Sequence, residues 1–116
     1  LAQARQAVEA GKLADAEQHL RWIVQNSPEA NDRALASLRL ARVLLDQGKP
    51  QEALDALGKD VPASSPALAE IRGDIAQAQK KPDEARKAYQ EAIAGLPPES
   101  GQTALIKLKL DALGQP

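Results

Sequence analysis

The chain has no cysteine, methionine or phenylalanine, and Trp22 and Tyr89 are its only aromatic residues. Without cysteine it can form neither a disulfide bond nor a thiolate metal site. β-Branched and aromatic residues, which favour strands, are scarce. Most of the chain consists instead of alanine, leucine, glutamine, glutamate, lysine and arginine, which are strong helix formers. The composition therefore predicts an all-α protein, and its 116 residues predict a single domain.

A strong excess of charge of one sign is also lacking, since 15 basic and 16 acidic residues leave a net charge of −1. No basic block is present, which argues against a nucleic-acid partner. The sequence shows neither a signal peptide nor an apolar run close to the roughly 20 residues of a membrane span. It begins at Leu1, without methionine and inside a helical pattern. We therefore expect a fragment of a longer protein, whose upstream part could hold a membrane anchor or a signal.

No group of residues is suited to catalysis or to metal binding. His19 is the only histidine, whereas zinc needs three or four protein ligands. A catalytic serine would need a histidine as its base, but His19 is the only one and the sequence has no nucleophile-elbow motif. Asp83 and Glu84 are adjacent, so their side chains diverge on a helix. We expect no enzymatic activity, no cofactor and no metal ion.

A repeated helix-turn-helix pattern is the most informative feature that the sequence does contain. It runs from Gly11 to Ile23, from Gly48 to Leu57 and from Lys80 to Ala92. The turns lie about 37 and 32 residues apart, on either side of the roughly 34 residues of a tetratricopeptide repeat. The pattern predicts a tetratricopeptide-repeat-like solenoid of about three helical hairpins plus a C-terminal capping helix. The predicted limits are residues 1–28 for a first, truncated repeat, 29–62 for the second, 63–98 for the third and 99–116 for the cap.

Small residues recur where the helices of such repeats cross. An alanine follows each turn by about five residues, and a larger apolar residue comes about four residues later. Gly73 and Ala41 are expected to play the same small-residue role in their own helices. Close packing would compensate for Gly73, which otherwise costs about 1 kcal/mol in a helix interior. The three alanine and apolar pairs are Ala16 and Leu20, Ala53 and Leu57, and Ala85 and Tyr89.

Seven helices are predicted from this punctuation. Residues 1–10 and 13–26 would form the first hairpin, with a turn at Gly11. The third helix would begin at Pro28, capped by Ser27, or be capped by Asn31 instead, and would end near Gln47. Others begin at Pro50, at Ser65-Pro66 and near Pro82, and the last covers residues 102–113. Its broad apolar face is expected to cover the end of the solenoid, and consists of Leu105, Ile106, Leu108, Leu110 and Leu113.

Two candidate surfaces for binding another protein emerge. Trp22 lies off the apolar stripe of its helix, so its indole either folds onto neighbouring side chains or anchors a partner at the outer face. The inner face of the first helix in each pair is the alternative, since solenoids bind along concave surfaces. We expect its polar members to be exposed to solvent. They could bind a partner, or they could be ordinary solvated helix residues while its leucines belong to the core. These inner-face residues are Arg5, Glu9, Leu35, Leu38, Arg42, Asp46, Glu70, Asp74 and Gln77.

The order of four segments resembles one family in particular. The segments begin at Ala34, with A-L-A-S-L-R-L-A-R-V-L-L-D-Q-G-K, at Ala67, with A-L-A-E-I-R-G-D-I, at Ala85, with A-R-K-A-Y-Q-E-A-I, and at Leu108, with L-K-L-D-A-L. Together they resemble the periplasmic domain of the ancillary subunit of the bacterial Sec translocon. The most specific part is the I-R-G-D motif at residues 71–74, and the resemblance covers nearly the whole chain.

This resemblance implies a protein of Gram-negative bacteria held at the periplasmic face of the inner membrane by one N-terminal span. It implies association with the Sec translocon and with a membrane-bound prolyl-isomerase-like chaperone, and assistance to extended secretory proteins as they emerge. No catalytic residues are carried over from the family. The alternative function is a periplasmic tetratricopeptide adaptor that coordinates cell-envelope or cell-division machinery. A cleaved signal instead of the span, the oligomeric state and the identity of the client stay open.

Overall fold

The computed structural model of the chain describes residues 2–114, and the side chains of residues 9–114. Within that part the chain forms six α-helices and no strand, so the all-α prediction is confirmed. The helices are α1 (Ala2–Asn26), α2 (Ala30–Asp46), α3 (Pro50–Ala56), α4 (Pro66–Ala78), α5 (Pro82–Ala94) and α6 (Gly101–Leu113). They form two compact units, Leu1–Val61 with α1 to α3 and Pro62–Pro116 with α4 to α6. The predicted repeat limits stay predictions.

The predicted turn at Gly11 is wrong, because α1 continues through it as one helix. Glycine inside a helix costs only about 1 kcal/mol relative to alanine, which by itself does not end a helix. The later turns contain Pro50 and Pro82 two residues after Gly48 and Lys80, and proline both lacks an N–H and clashes with the preceding turn. Leu13 stands at the corresponding place after Gly11, so nothing interrupts α1.

The caps at the start of α2 also differ from the prediction. The N-cap is Glu29, without a side-chain hydrogen bond, so neither Ser27 nor Asn31 caps this helix. Ser27 Oγ instead accepts a hydrogen bond from the Glu29 N–H at 3.3 Å, which closes a local turn before the helix. The helix starts expected at Pro50 and at Ser65-Pro66 are confirmed, and the Ser65 side chain accepts a hydrogen bond from the Leu68 N–H.

Two helices end in the same way, although different residues occupy the key position. Gly48 after α2 and Lys80 after α4 both have positive φ, 79° and 62°. In each case the N–H groups of the positive-φ residue and of the residue after it donate to carbonyl oxygens in the last turns of the helix, as in a Schellman motif. Lysine in this left-handed conformation carries strain that glycine avoids.

The first unit is built around α2, which packs against both α1 and α3. Ala41 and Ala53 are fully buried, as the small-residue pattern predicts, and Leu44 is fully buried as well. After α3, Asp60 accepts a hydrogen bond from Arg33 Nε at 3.1 Å. That hydrogen bond outweighs partial burial and holds the pKa of Asp60 below its usual range. The ion pair thus ties the segment after α3 back to α2.

The second unit has Tyr89 at its centre, with no exposed surface, as predicted. A Cβ added to Gly73 would lie 2.5 Å from Tyr89 Cε1, so the absent side chain makes room for the ring. The expectation that close packing explains Gly73 is therefore confirmed. Ala85, Ala92 and Ile106 are fully buried around the same ring.

The C-terminal helix α6 packs against α5, as expected of a covering helix. Ile106 is buried, and Leu110 and Leu113 are partly buried against the Tyr89 cluster. Leu105 and Leu108 are 60% and 64% exposed, however, so the apolar face is broader than the core that it covers.

Candidate protein-binding surface

A groove between α1 and α2 brings together residues from both surfaces proposed in the sequence. It has a volume of about 360 Å³. Trp22, from the outer-face prediction, and Leu35, from the inner-face set, both line it, and they are 62% and 48% exposed. The two surfaces are therefore one surface at this point. We call it the tryptophan groove, and its lining residues are Leu20, Trp22, Ile23, Ser27, Asp32, Leu35, Ala36 and Arg39.

The short connection between α1 and α2 positions this groove. Because only residues 27–29 separate the helices, Trp22 near the end of α1 lies close to Leu35 near the start of α2. Asn26 Nδ2 donates a 2.9 Å hydrogen bond to the Trp22 carbonyl oxygen, which satisfies an acceptor in the last turn of α1. Arg33 Nη1 donates a 2.8 Å hydrogen bond to the Ser27 carbonyl oxygen and fixes the connection.

A second groove of the first unit has a volume of about 550 Å³ and collects two other inner-face residues, Glu9 and Asp46. Glu17 also lines it, and a hydrogen bond from Arg21 lowers the pKa of this carboxyl group despite some desolvation. Gln47 Oε1 is buried there without a hydrogen-bond partner among the described residues. We call this the acidic groove, and its lining residues are Glu9, Ala10, Leu13, Ala14, Glu17, Asp46, Gln47 and Lys49.

The inner-face residues Leu38 and Arg42, whose side chains the structure describes, line neither groove. Leu38 is half-buried, and Arg42 is exposed but has interactions of its own. The side chain of Arg5 lies outside the described residues. The inner-face set therefore does not form one uniform strip, because successive positions of α2 face α1, α3 or solvent.

The inner-face residues of the second unit belong to an internal polar network. Tyr89 Oη donates hydrogen bonds to Asp74 and to Gln77 Oε1. Lys109 Nζ lies 2.8 Å from Glu70 Oε2 and 3.0 Å from Asp74 Oδ1, so α6 is linked to α4 by two ion pairs. The Asp74 side chain is only 10% exposed. The expectation that Asp74 is an exposed residue is therefore wrong.

Lys109 was absent from the predicted site residues, although the sequence held a signal for it. It interrupts the apolar run of α6 between Leu108 and Leu110, and lysine is rarely buried unless it is paired with an opposite charge. Burial by itself would lower the pKa of Lys109, but the hydrogen bonds and charges of Glu70 and Asp74 raise it overall. Lys109 therefore links α6 to α4 in its protonated, positively charged form.

The described residues contain no cluster of three or more histidine, cysteine or carboxylate side chains that could hold a metal ion. Among the helices of residues 2–114, none is both long enough and apolar enough to cross a membrane. What the first unit does present is apolar surface in grooves with charged edges, which is a surface suited to binding another protein.

Comparison with known proteins agrees with the resemblance inferred from sequence. Residues 1–115 match the family model of the tetratricopeptide repeat-like domain. The chain is also 42% identical over 99 residues to the ancillary SecYEG translocon subunit of Neisseria gonorrhoeae (strain ATCC 700825 / FA 1090), which confirms the predicted relationship. That alignment covers 84% of the chain but 47% of the relative, so the chain spans about half the length of the protein that it matches. No solved structure gives a significant match. The chain belongs to the tetratricopeptide repeat-like domain family.

Proposed function

We propose that this chain is a non-enzymatic binding module of an accessory subunit of the Sec translocon. The name of the Neisseria relative, an ancillary SecYEG translocon subunit, supports the choice of partner. The structural observation that carries the proposal is the tryptophan groove, where Trp22 and Leu35 expose apolar surface side by side. Tryptophan is enriched among the residues that dominate binding energy at protein interfaces.

The proposal extends to the location and the partners of the complete protein. It would be held at the periplasmic face of the inner membrane by a single N-terminal span. There it would assist extended secretory proteins together with a membrane-bound prolyl-isomerase-like chaperone. The first unit is the better candidate for these contacts, because Glu70 and Asp74 of the second unit are already engaged with Lys109.

Site-specific crosslinking in cells tests this proposal. A photoreactive amino acid replaces Leu35 in the full-length protein, and the crosslinked products are identified by mass spectrometry. Leu54 supplies a matched control, since it is also an exposed leucine of the first unit, at 38%, and does not line the tryptophan groove. We expect position 35, and not position 54, to crosslink to translocon subunits, to the chaperone or to secretory proteins during export.

Two outcomes would contradict the proposal. Crosslinks from position 35 to cell-envelope or cell-division machinery alone would favour the adaptor function instead. Equal products from positions 35 and 54 would mean that the groove has no specific role in binding.

A further inference from the structure

The tryptophan groove has opposite charges at its two ends. Asp32 and Arg39 both line it, and both are exposed. Leu35 lies between them on the same helix, one turn from either residue. Seven residues of helix at 1.5 Å per residue place the two charges about 10 Å apart along α2. The groove therefore presents an acidic end, an apolar centre and a basic end in one line.

Asp32 and Arg39 are not paired with another charge among the side chains that the structure describes. Arg33, which lies next to Asp32 in sequence, is instead paired with Asp60. Helical geometry explains the difference, because Arg33 lies about 100° around α2 from Asp32 and faces the segment after α3. Asp32 and Arg39 are thus available to charges on a bound partner.

The size of the groove limits what it can hold. About 360 Å³ lies near the lower end of the range for ligand pockets, roughly 300–1,000 Å³, and is enough for one or two large side chains. An extended peptide in the polyproline II conformation rises about 3.1 Å per residue with three residues per turn, so residues three positions apart lie on the same side of the peptide, about 9 Å from each other. A short extended segment can therefore place one residue at each charged end and an apolar side chain between them.

We propose that the tryptophan groove binds a short extended peptide segment in which a large apolar side chain lies between a basic and an acidic residue three positions apart. The apolar side chain packs between Trp22 and Leu35, the basic residue pairs with Asp32, and the acidic residue pairs with Arg39. This inference rests on the proposed function, because secretory proteins emerge as extended chains, and it adds a sequence preference.

Peptide binding measured by fluorescence anisotropy tests the preference. The reference peptide carries lysine, phenylalanine and glutamate, with the lysine and the glutamate three positions apart. In one derivative a second lysine replaces the glutamate, and in another serine replaces the phenylalanine. We expect the chain to prefer the reference peptide over the dibasic one by about two- to fivefold, as for an exposed ion pair. Loss of phenylalanine, or Trp22→Ala, should weaken binding about tenfold or more.

A charge-reversal variant separates recognition from folding defects. Arg39→Glu leaves two acidic residues at the groove, so the order of preference should invert and the dibasic peptide should bind more tightly than the reference. A misfolded variant would lose both peptides and could not invert the order. Arg72→Glu is the matched control, because Arg72 is an exposed arginine of the second unit and should leave the order unchanged.

Several results would overturn the inference. An unchanged order of preference in Arg39→Glu, or binding that does not respond to Trp22→Ala, would exclude the groove as the peptide site. Sedimentation would reveal whether the chain self-associates in a way that Trp22→Ala abolishes, which would identify a second copy as the occupant. Crosslinking at position 35 to the translocon together with a failure of the peptides would refute only the sequence preference. Inverted preferences without such crosslinks would refute only the Sec assignment.

Discussion

Gly73→Ala tests the packing of the second unit most directly. A Cβ at this position would lie 2.5 Å from Tyr89 Cε1 and 2.6 Å from Cδ1, which is closer than real contacts allow. The ring cannot move away freely, because Tyr89 is fully buried and its hydroxyl group donates to Asp74 and Gln77. Overpacking a core costs about 1–3 kcal/mol, whereas replacing helical glycine by alanine contributes up to about 1 kcal/mol of stability. Subtracting this gain from the cost leaves an expected net destabilisation of up to about 2 kcal/mol.

Gly11→Ala provides the matched control, since Gly11 is also inside a helix but has nothing within 4 Å of an added Cβ. This variant should gain up to about 1 kcal/mol through helix propensity alone. Urea denaturation followed by circular dichroism at 222 nm would measure both changes, and the two should have opposite signs. If Gly73→Ala stabilises the protein as much as Gly11→Ala does, the close contact with Tyr89 is not real.

A double variant locates the cause. The penalty of Gly73→Ala should shrink in a Tyr89→Leu background, because the ring atoms that collide with the new Cβ are gone. Residues in direct contact show such non-additive effects, typically of about 0.5–3 kcal/mol. An additive double variant would place the strain somewhere other than between these two residues.

Three further predictions concern the turns, the helix crossings and the fastening of α6. Lys80→Gly should stabilise the protein by up to about 1 kcal/mol in urea denaturation, because glycine adopts the left-handed φ of 62° without strain. Gly48→Ala should destabilise the protein for the same reason. Equal effects of the two variants would contradict the common turn geometry. Ala85→Leu should cost about 1–3 kcal/mol in thermal unfolding, because Ala85 is fully buried, and a change no larger than that of the surface variant Lys12→Ala would remove the assigned register. The pKa of Lys109 is raised in the folded protein, so its contribution to stability should be complete below its usual pKa of 10.5 and be lost as pH rises above that value. Lys109→Met should lack this alkaline loss in pH-dependent denaturation, and an unchanged alkaline profile would refute the ion-pair assignment.

Only part of the candidate binding surface could be predicted from the sequence. Periodicity identified Trp22 as lying off its apolar stripe and assigned Leu35 to the first helix of a repeat, but it placed them on opposite faces. The faces were inferred from an assumed hairpin at residues 1–26, whereas α1 is one continuous helix. The short 27–29 connection, which follows the predicted helix end at residue 26, places Trp22 and Leu35 in one groove, so the assignment to opposite faces is wrong. Asp32 and Arg39 are candidate binding residues only because the structure places them at the two ends of this groove.

The sequence by itself determined the helical class, the repeat and the positions of most helix ends. These properties depend on local interactions: proline is disfavoured inside a helix but tolerated in its first turn, so it marks where α3, α4 and α5 begin, and alanine and leucine have high helix propensity. The close packing at Gly73 could also be predicted, because a small residue in the middle of a helix indicates close packing, and so could the burial of Tyr89. Only the tertiary structure decided that Asp74 is held by Tyr89 and Lys109 and is not an exposed charge. Such contacts join residues far apart in the chain, so their formation depends on how the helices pack, which the periodicity of a single helix does not determine.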